Sequence, residues 1–427
     1  MRTIVRIAEK CKGGSKGLRG SSGWGSAEPS GELWDLDSRV ELIQALIPVG
    51  LEAVHDLLQQ EVTALAGQPY SRRGGRPGHV RWGRQGGSVY LADQKVAIPV
   101  PRVRDRLGGQ EVPLRTYQGL RQPRRAEEAA LRKILKGLSC RDYESCAEPV
   151  AETFGLRASS LSRRFQRASA RKLAALQERD LSKYDLVALF LDGKTFGDDE
   201  MLIGLGITLE GQKVVLGFVQ TATENEKVCA AFLRSLVDRG LRMDQGLLCV
   251  MDGSKGLRKA VDAVLGAKVA VQRCQWHKRE NVLGYLPSSQ QATFRRKLQA
   301  GYNRPSYGQA KAALKTVRGE LGLVNQSAVA SLDEGFEETL TLHRLGLAAE
   351  LGRSFRTTNC IENVNALLAQ RTNKVDCWRN SDQKHRWLAT ALLEVEPRLR
   401  RVAGSKHLVR LRAALQTHLK GCLQHVA

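Results

Sequence analysis

Two short runs constrain this chain more than any other part of it: Val187–Gly193, reading VALFLDG, and Leu247–Gly253, reading LLCVMDG. Each places five apolar residues in a row and then stops at Asp-Gly. A run of that length is too short for a helix and suits a strand buried on both faces. Two such strands lying parallel would deliver Asp192 and Asp252 side by side at their carboxyl ends. Carboxylates held together repel and raise each other's pKa unless a cation neutralises them. The pair therefore reads as a metal-ion site in an α/β domain. Taken singly, either Asp-Gly reads first as a turn after a strand.

The surrounding pattern builds a sheet around these runs. After VALFLDG come strand-like segments Met201–Leu209 and Lys213–Val219, separated by the turn signal Glu210-Gly211. Asn225–Val237 is helical in period, with Val228, Phe232, Leu233 and Leu236 inward; LLCVMDG follows, then a helix over Gly256–Leu265 and a short strand over Lys268–Val271. The order β-β-β-α-β-α-β predicts one mixed five-stranded sheet with helices on its faces. Asp198-Asp199-Glu200 falls between the first two strands and is expected to be a solvated hairpin loop. From His277 to Gly352 the pattern is helical throughout, which predicts an all-helical insertion. An amphipathic helix carrying Glu362 follows, then a basic carboxyl region with Trp378, Trp387, Arg398, Arg400 and Arg401.

Charge narrows the partners. The 427-residue chain carries 67 Lys and Arg against 44 Asp and Glu, a formal net charge of +23. That excess makes a polyanion, nucleic acid above all, the natural partner. No apolar run is long enough to span a bilayer, and the amino terminus has no apolar stretch of a secretory signal. Nine cysteines without framework spacing read as reduced thiols, so a cytoplasmic protein is expected.

Upstream of the sheet, residues 1–31 read as a disordered basic tail. Val40–Ala66 reads as two helical segments limited by Pro48. Ser71–Arg84 holds Arg72, Arg73, Arg76, Arg81 and Arg84 with Trp82 and no acid, a mobile segment able to follow a phosphate backbone. Val89–Arg104 alternates, and Pro99 and Pro101 argue for an edge strand or hairpin. Between residues 137 and 175, one helix is expected from Leu138 to Val150, a break at Gly155, and a second helix capped by Ser159 or Ser160. Leu161, Phe165 and Ala168 form the apolar face of that second helix, and Arg163, Arg164, Arg167 and Arg171 its other face. This is a helix-turn-helix layout whose arginines would contact DNA; on an ordinary bundle they would be surface arginines.

The remaining motifs are ambiguous singly. Asn359-x-x-Glu362 fits a helix cap with an acid at the third position. Cys274-x-x-His277 supplies only two zinc ligands, with no second pair at finger spacing. In order, however, Asp192, Asp252, Cys274-x-x-His277, a helical insertion and Thr-Thr-Asn-x-x-Glu362 resemble the bacterial Mutator-type insertion-sequence transposases. DGSKGLRKAV from Asp252 and VQRCQWHKREN from Val271 carry the resemblance most strongly, and it extends over roughly Ala92–Arg401. It implies a ribonuclease-H-like catalytic domain formed by residues 181–277 and 353–375, with the insertion at 278–352, a DNA-binding region at 32–180 and a basic helical region at 376–427.

The same resemblance implies that Asp192, Asp252 and Glu362 form a D,D,E triad holding two Mg²⁺ ions, for which Mn²⁺ could substitute. Cys274 and His277 match its C-x-x-H element, and Arg356 and Asn359 match the residues preceding its glutamate, all expected to support the site. The implied partner is double-stranded DNA, both element ends and target, bound by a homodimer or larger assembly. This sequence departs from the family in having Gly266 where proline is usual, with an extra residue nearby, and in lacking an arginine cluster directly after Glu362. A structure-specific nuclease on the same fold, or a DNA-binding protein with an inactive site, are the alternatives.

Overall fold

The computed structural model describes residues 36–71, 75–91, 94–122, 124–146, 153–221, 225–375 and 377–424. It divides into two units, Met1–Gln60 and Glu61–Ala427. The first described element is α1 (Leu36–Ala66). It is a single helix rather than the expected two, because a proline removes one backbone donor without by itself ending a helix. Next come β1 (His79–Leu91), β2 (Gln94–Asp105), β3 (Glu111–Val112), α2 (Arg115–Leu120), α3 (Arg124–Leu135), β4 (Thr153–Phe154) and α4 (Ala158–Gln177).

These four strands form a small sheet that corrects one expectation and resolves another. Arg81, Trp82 and Arg84 lie in β1 and not in a mobile loop: the Arg81 guanidinium donates to Gly67 O at 2.9 Å and Thr63 Oγ1 at 2.8 Å, and that of Arg104 stacks over Trp82 at 4.8 Å. Arg76 is exposed in the turn before β1, and Arg72 and Arg73 lie outside the described residues. Val89–Arg104, expected as an edge strand or hairpin, forms the hairpin of β1 and β2, with β2 not at an edge but flanked by β1 on one side and by β3 and β4 on the other. Its prolines are tolerated because β4 pairs only at Lys95 and Val96 and β3 only at Val103 and Arg104. Pro99 and Pro101 fall in the gap, where no ladder donor is required.

The helix-turn-helix expectation also changes. Residues 140–146, expected to be helical, form turns, and 147–152 lie outside the described residues. Ser139 Oγ accepts from the backbone of Arg141 and Asp142 at 3.2 and 3.1 Å, a local bonding that competes with helix formation. The second helix, α4, exists, but its arginines are largely committed. Arg164 is buried over the Tyr90 ring at 5.3 Å. Arg167 Nε and Arg171 Nη2 converge on Glu127 of α3 at 2.9 and 2.6 Å. Arg163 stays exposed.

The main sheet holds β5 (Leu186–Phe196), β6 (Asp199–Thr208), β7 (Lys213–Thr221), β8 (Leu247–Met251) and β9 (Val269–Arg273) in the order β7-β6-β5-β8-β9. β7, β6 and β5 are antiparallel, and β5, β8 and β9 parallel, as the element order predicted. Helices α5 (Glu226–Asp238) and α6 (Lys255–Leu265) intervene. Alternate residues face opposite cores. Leu189, Leu191, Cys249 and Met251 join α5 and α6 in one cluster. Gly204 in β6 lets Phe232 of α5 approach, since a Cβ there would stand 3.2 Å from the ring. Ala188, Phe190, Leu248 and Val250 face the other cluster. That face is covered by α4 and by α13 (Ala348–Phe355), α14 (Asn359–Thr372), α15 (Ser381–Val395) and α16 (Leu408–Gln424).

Between β9 and α13 run α7 (Gln275–Gly284), α8 (Ser288–Tyr302), α9 (Tyr307–Gly322), α10 (Gln326–Asp333), α11 (Phe336–Thr339) and α12 (Thr341–Arg344). α7 to α10 enclose a core of their own, built on Phe294, Leu298, Leu314 and Leu321. The fully buried Gln272 side chain ties β9 to these helices, donating to Thr339 O at 2.9 Å and accepting from Leu342 N at 2.8 Å. Asp199 and Glu200, expected in a solvated loop, belong to β6, and Asp199 pairs with the nearly buried Lys384 at 2.6 Å.

The Glu127 fork yields a testable outcome. Glu127 is 1% exposed; burial would raise its pKa, but the hydrogen bonds from Arg171 and Arg167 outweigh burial and hold it below the usual carboxylate range. A depressed folded pKa stabilises above the unfolded value, about 4.3, and that stability is lost as pH falls through the folded value. Glu127→Ala is expected to cost about 2 kcal/mol in urea unfolding at neutral pH, the two half-exposed arginines regaining water. Glu127→Gln should flatten the loss of stability below about pH 4.

Candidate active site

Strand register settles where the two aspartates go. Ala188 pairs with Leu248 and Phe190 with Val250 across the parallel β5–β8 ladder. Asp192 and Asp252 continue the same alternation, so both carboxylates point to the face that α14 covers. Adjacent strands lie about 4.8 Å apart, which sets the scale of their separation. Asp252 leaves β8 directly after its last residue, as expected, and accepts from Ser254 N at 3.1 Å. Ser254 in turn caps α6, accepting from Leu257 N at 3.3 Å. Asp192 does not end its strand. β6 goes on pairing beyond it, Asp192 opposite Ile203, and β5 continues to Phe196. Asp192 is 6% exposed, a carboxylate held in a packed sheet.

α14 brings the third acid to this face. Its cap residue is Thr358 and not Asn359, which is exposed as the first helical residue. The Thr358 hydroxyl donates to Glu362 Oε1 at 2.9 Å. One turn further, Asn365 Nδ2 donates to Asp192 Oδ2 at 3.5 Å. Residues three apart share a helix face, so Glu362 and Asn365 lie along the same stripe. Asn365 was not anticipated from the sequence, although the spacing Glu362-x-x-Asn365 carries that signal.

The C-x-x-H element joins these pieces. Cys274 N donates to Met251 O at 2.8 Å, directly beside Asp252, and Gln275 N donates to Arg356 O at 2.9 Å, directly before α14. The fully buried Cys274 sulfur caps α7, accepting from His277 N at 3.5 Å, and lies 3.6 Å from Thr358 Oγ1. A continuous path thus runs from the strand bearing Asp252 through Cys274 and Thr358 to Glu362. His277, beside this path, is pushed up to about 9. The Cys274 sulfur is the main cause, with the Asp192 and Asp252 carboxylates adding to it and burial opposing it. Arg356 turns to the insertion, donating to Tyr302 O at 2.9 Å and Asn303 Oδ1 at 3.3 Å, and burial lowers its pKa.

Among the described residues, no three His, Cys, Asp or Glu side chains stand close enough together to hold a metal ion. Glu362 is engaged by its own helix cap, accepting from the Thr358 hydroxyl. Two buried polar atoms nevertheless lack a hydrogen-bond partner here, Asn365 Oδ1 and His277 Nδ1. The oxygens of Asp192, Asp252, Glu362 and Asn365 are the donor type that Mg²⁺ prefers. The donor set fits the ion in chemistry, and Glu362 is the side chain that would have to turn.

The family profile described as "Transposase, Mutator family" matches residues 36–400. The chain is 31% identical over 296 residues to the transposase for insertion sequence element IS6120 of Mycolicibacterium smegmatis, covering 68% of this chain and 90% of that protein. It is 27% identical over 369 residues to the transposase for IS905 of Lactococcus lactis, covering 84% and 91%. A third relative, the transposase for IS406 of Burkholderia multivorans, is 28% identical over 346 residues, covering 78% and 85%. With a match running from the first described helix to beyond α15, the chain belongs to the Mutator family of transposases.

Proposed function

We propose that this chain is the transposase of an insertion sequence, binding the ends of its element as double-stranded DNA and catalysing strand cleavage and transfer at Asp192, Asp252 and Glu362. One observation carries the reading: β5 and β8 run parallel and in register, so both aspartates emerge on the face covered by α14. The order of the main sheet, three antiparallel strands followed by two parallel ones, supports a ribonuclease-H-like catalytic core. The net charge of +23 supports a DNA partner, and joining two element ends supports action as a homodimer or larger assembly.

Two Mg²⁺ ions, or Mn²⁺ in their place, would supply an activated water or 3′-hydroxyl nucleophile and stabilise the leaving oxygen. The protein's own contribution is position and charge. Asp192 is held by its pairing with Ile203 of β6, one residue beyond the end of the β5–β8 ladder, and Asp252 by the N-terminal turn of α6. Glu362 reaches the site by giving up the Thr358 hydroxyl, a neutral hydrogen bond worth about 1 kcal/mol net. Asn365 orients Asp192 through its amide N–H and leaves its carbonyl oxygen facing the site. No serine or tyrosine nucleophile is needed, since orientation and electrostatic stabilisation suffice for phosphoryl transfer.

Three outcomes follow from this assignment. Asp192→Asn, Asp252→Asn and Glu362→Gln should each lower cleavage of labelled element-end duplexes by ~10³-fold or more while leaving their binding intact. Wild-type activity unaltered by all three would sink the triad, and cleavage without joined product would point to a nuclease. Chelation of divalent ions should abolish cleavage but not duplex binding, with recovery on adding Mg²⁺ or Mn²⁺. Asn365→Leu should slow cleavage by roughly 10- to 100-fold, the usual effect of losing a partner that orients a ligand. An unchanged rate in that variant would remove Asn365 from the site.

A further inference from the structure

The far end of α14 leads into a groove of about 830 Å³, walled by α4, α14, α15 and the turn that follows α3. Among its described lining residues five are cationic, Arg141, Arg371, Lys374, Arg379 and Arg386, against one acid, Asp142, which is occupied by the Ser139 hydroxyl at 2.8 Å. Three of the cations are already engaged. Arg371 pairs with Glu394 at 3.0 Å, Arg386 with Asp382, and Lys374 Nζ donates to Lys136 O at 3.2 Å. The Lys374 contact depends on Gly137, whose φ is +101° and where a Cβ would fall 2.2 Å from the lysine chain. Arg141 and Arg379 are exposed and have no carboxylate partner among the described residues. Among the described residues the groove therefore offers two exposed guanidinium groups without a carboxylate partner.

Its floor says what kind of ligand suits it. Phe165 and Trp387 lie there with ring centroids 4.8 Å apart, but they are 7% and 8% exposed, so neither offers a free face for base stacking. A site with cations at the rim and no available aromatic reads phosphates and not bases. A helix rise of about 1.5 Å per residue puts Arg371 about 14 Å beyond Glu362 along α14.

We infer that this groove holds the phosphate backbone of duplex DNA away from the phosphate being cut, with Arg141 and Arg379 as its backbone contacts. This inference rests on the transposase reading above and adds a DNA contact surface to it, on the opposite end of α14 from Glu362. It differs from the surface expected in the sequence, since Arg164 is buried and Arg167 is bound to Glu127.

The test uses the full chain and a fluorescein-labelled duplex of arbitrary sequence, about 20 base pairs long, with affinity measured by anisotropy across a range of salt. The double variant Arg141→Gln/Arg379→Gln is compared with Arg296→Gln/Lys315→Gln, which removes the same charge from exposed positions on the helical insertion. Loss of two phosphate contacts should lower the slope of log K against log salt by about 2 and weaken binding by roughly 30- to 100-fold near 0.1 M salt. The insertion variant should shift both quantities much less. Equal effects in the two variants, or an unchanged slope in the groove variant, would overturn the groove while leaving the transposase reading in place. Failure of the wild-type chain to bind any duplex would overturn both. Unfolding midpoints matching the wild type keep a folding defect from passing as lost binding.

Discussion

The parallel pairing of β5 with β8 is the constraint on which the rest of the structure depends. It is a backbone interaction with consequences for side chains, because a strand alternates faces with period two. A slip of one residue in either strand would send one aspartate into the α5–α6 core and leave the other facing α14. That slip is opposed by burial on both sides. Leu189, Leu191, Cys249 and Met251 fill one core, and Ala188, Phe190, Leu248 and Val250 the other. The position of two charged groups is thus set by about eight apolar ones.

Cys274 turns this local register into long-range placement. Its backbone reaches the end of β8, its neighbour's backbone reaches Arg356, and its sulfur touches the cap of α14. The C-x-x-H spacing is what allows this, since the cysteine caps α7 and the histidine falls in that helix's first turn. A motif easily taken for half of a zinc site is therefore a junction, placing two segments separated by the whole helical insertion. The insertion is held separately, through Gln272, Thr341 and the Arg356 guanidinium. Its junction with the sheet runs along the same β9–α7 connection that carries the site.

The cations show how little a net charge says about position. Many of the arginines that make the chain basic are spent within the fold, in the Glu127 fork, over Tyr90 and Trp82, and between Arg179 and Glu396 at 2.6 Å. Such pairs fix helices against each other and remove those cations from the surface open to a polyanion. The surface left for a polyanion is decided by which arginines find no partner, and that is a property of the packed structure.

Much of the part that carries the main sheet was legible in the residues. The order of the five strands and their helices followed from run length and period, because strands buried on both faces leave an unbroken apolar signature. Asp192 and Asp252 were legible for the same reason, and the family for its ordered motifs. The amino-terminal half was less so. A turn stabilised by Ser139, a central strand with prolines in an unpaired gap, and a basic helix enclosed on several sides all depend on contacts distant in sequence. What the sequence by itself determined was which segments are strands, where their acids emerge and which family they belong to. Tertiary structure alone decided that Thr358 holds Glu362, that Asn365 reaches Asp192 and that Arg164 is buried. The physical reason is that backbone periodicity is written locally, whereas a side chain's partner depends on which distant segment packs against it.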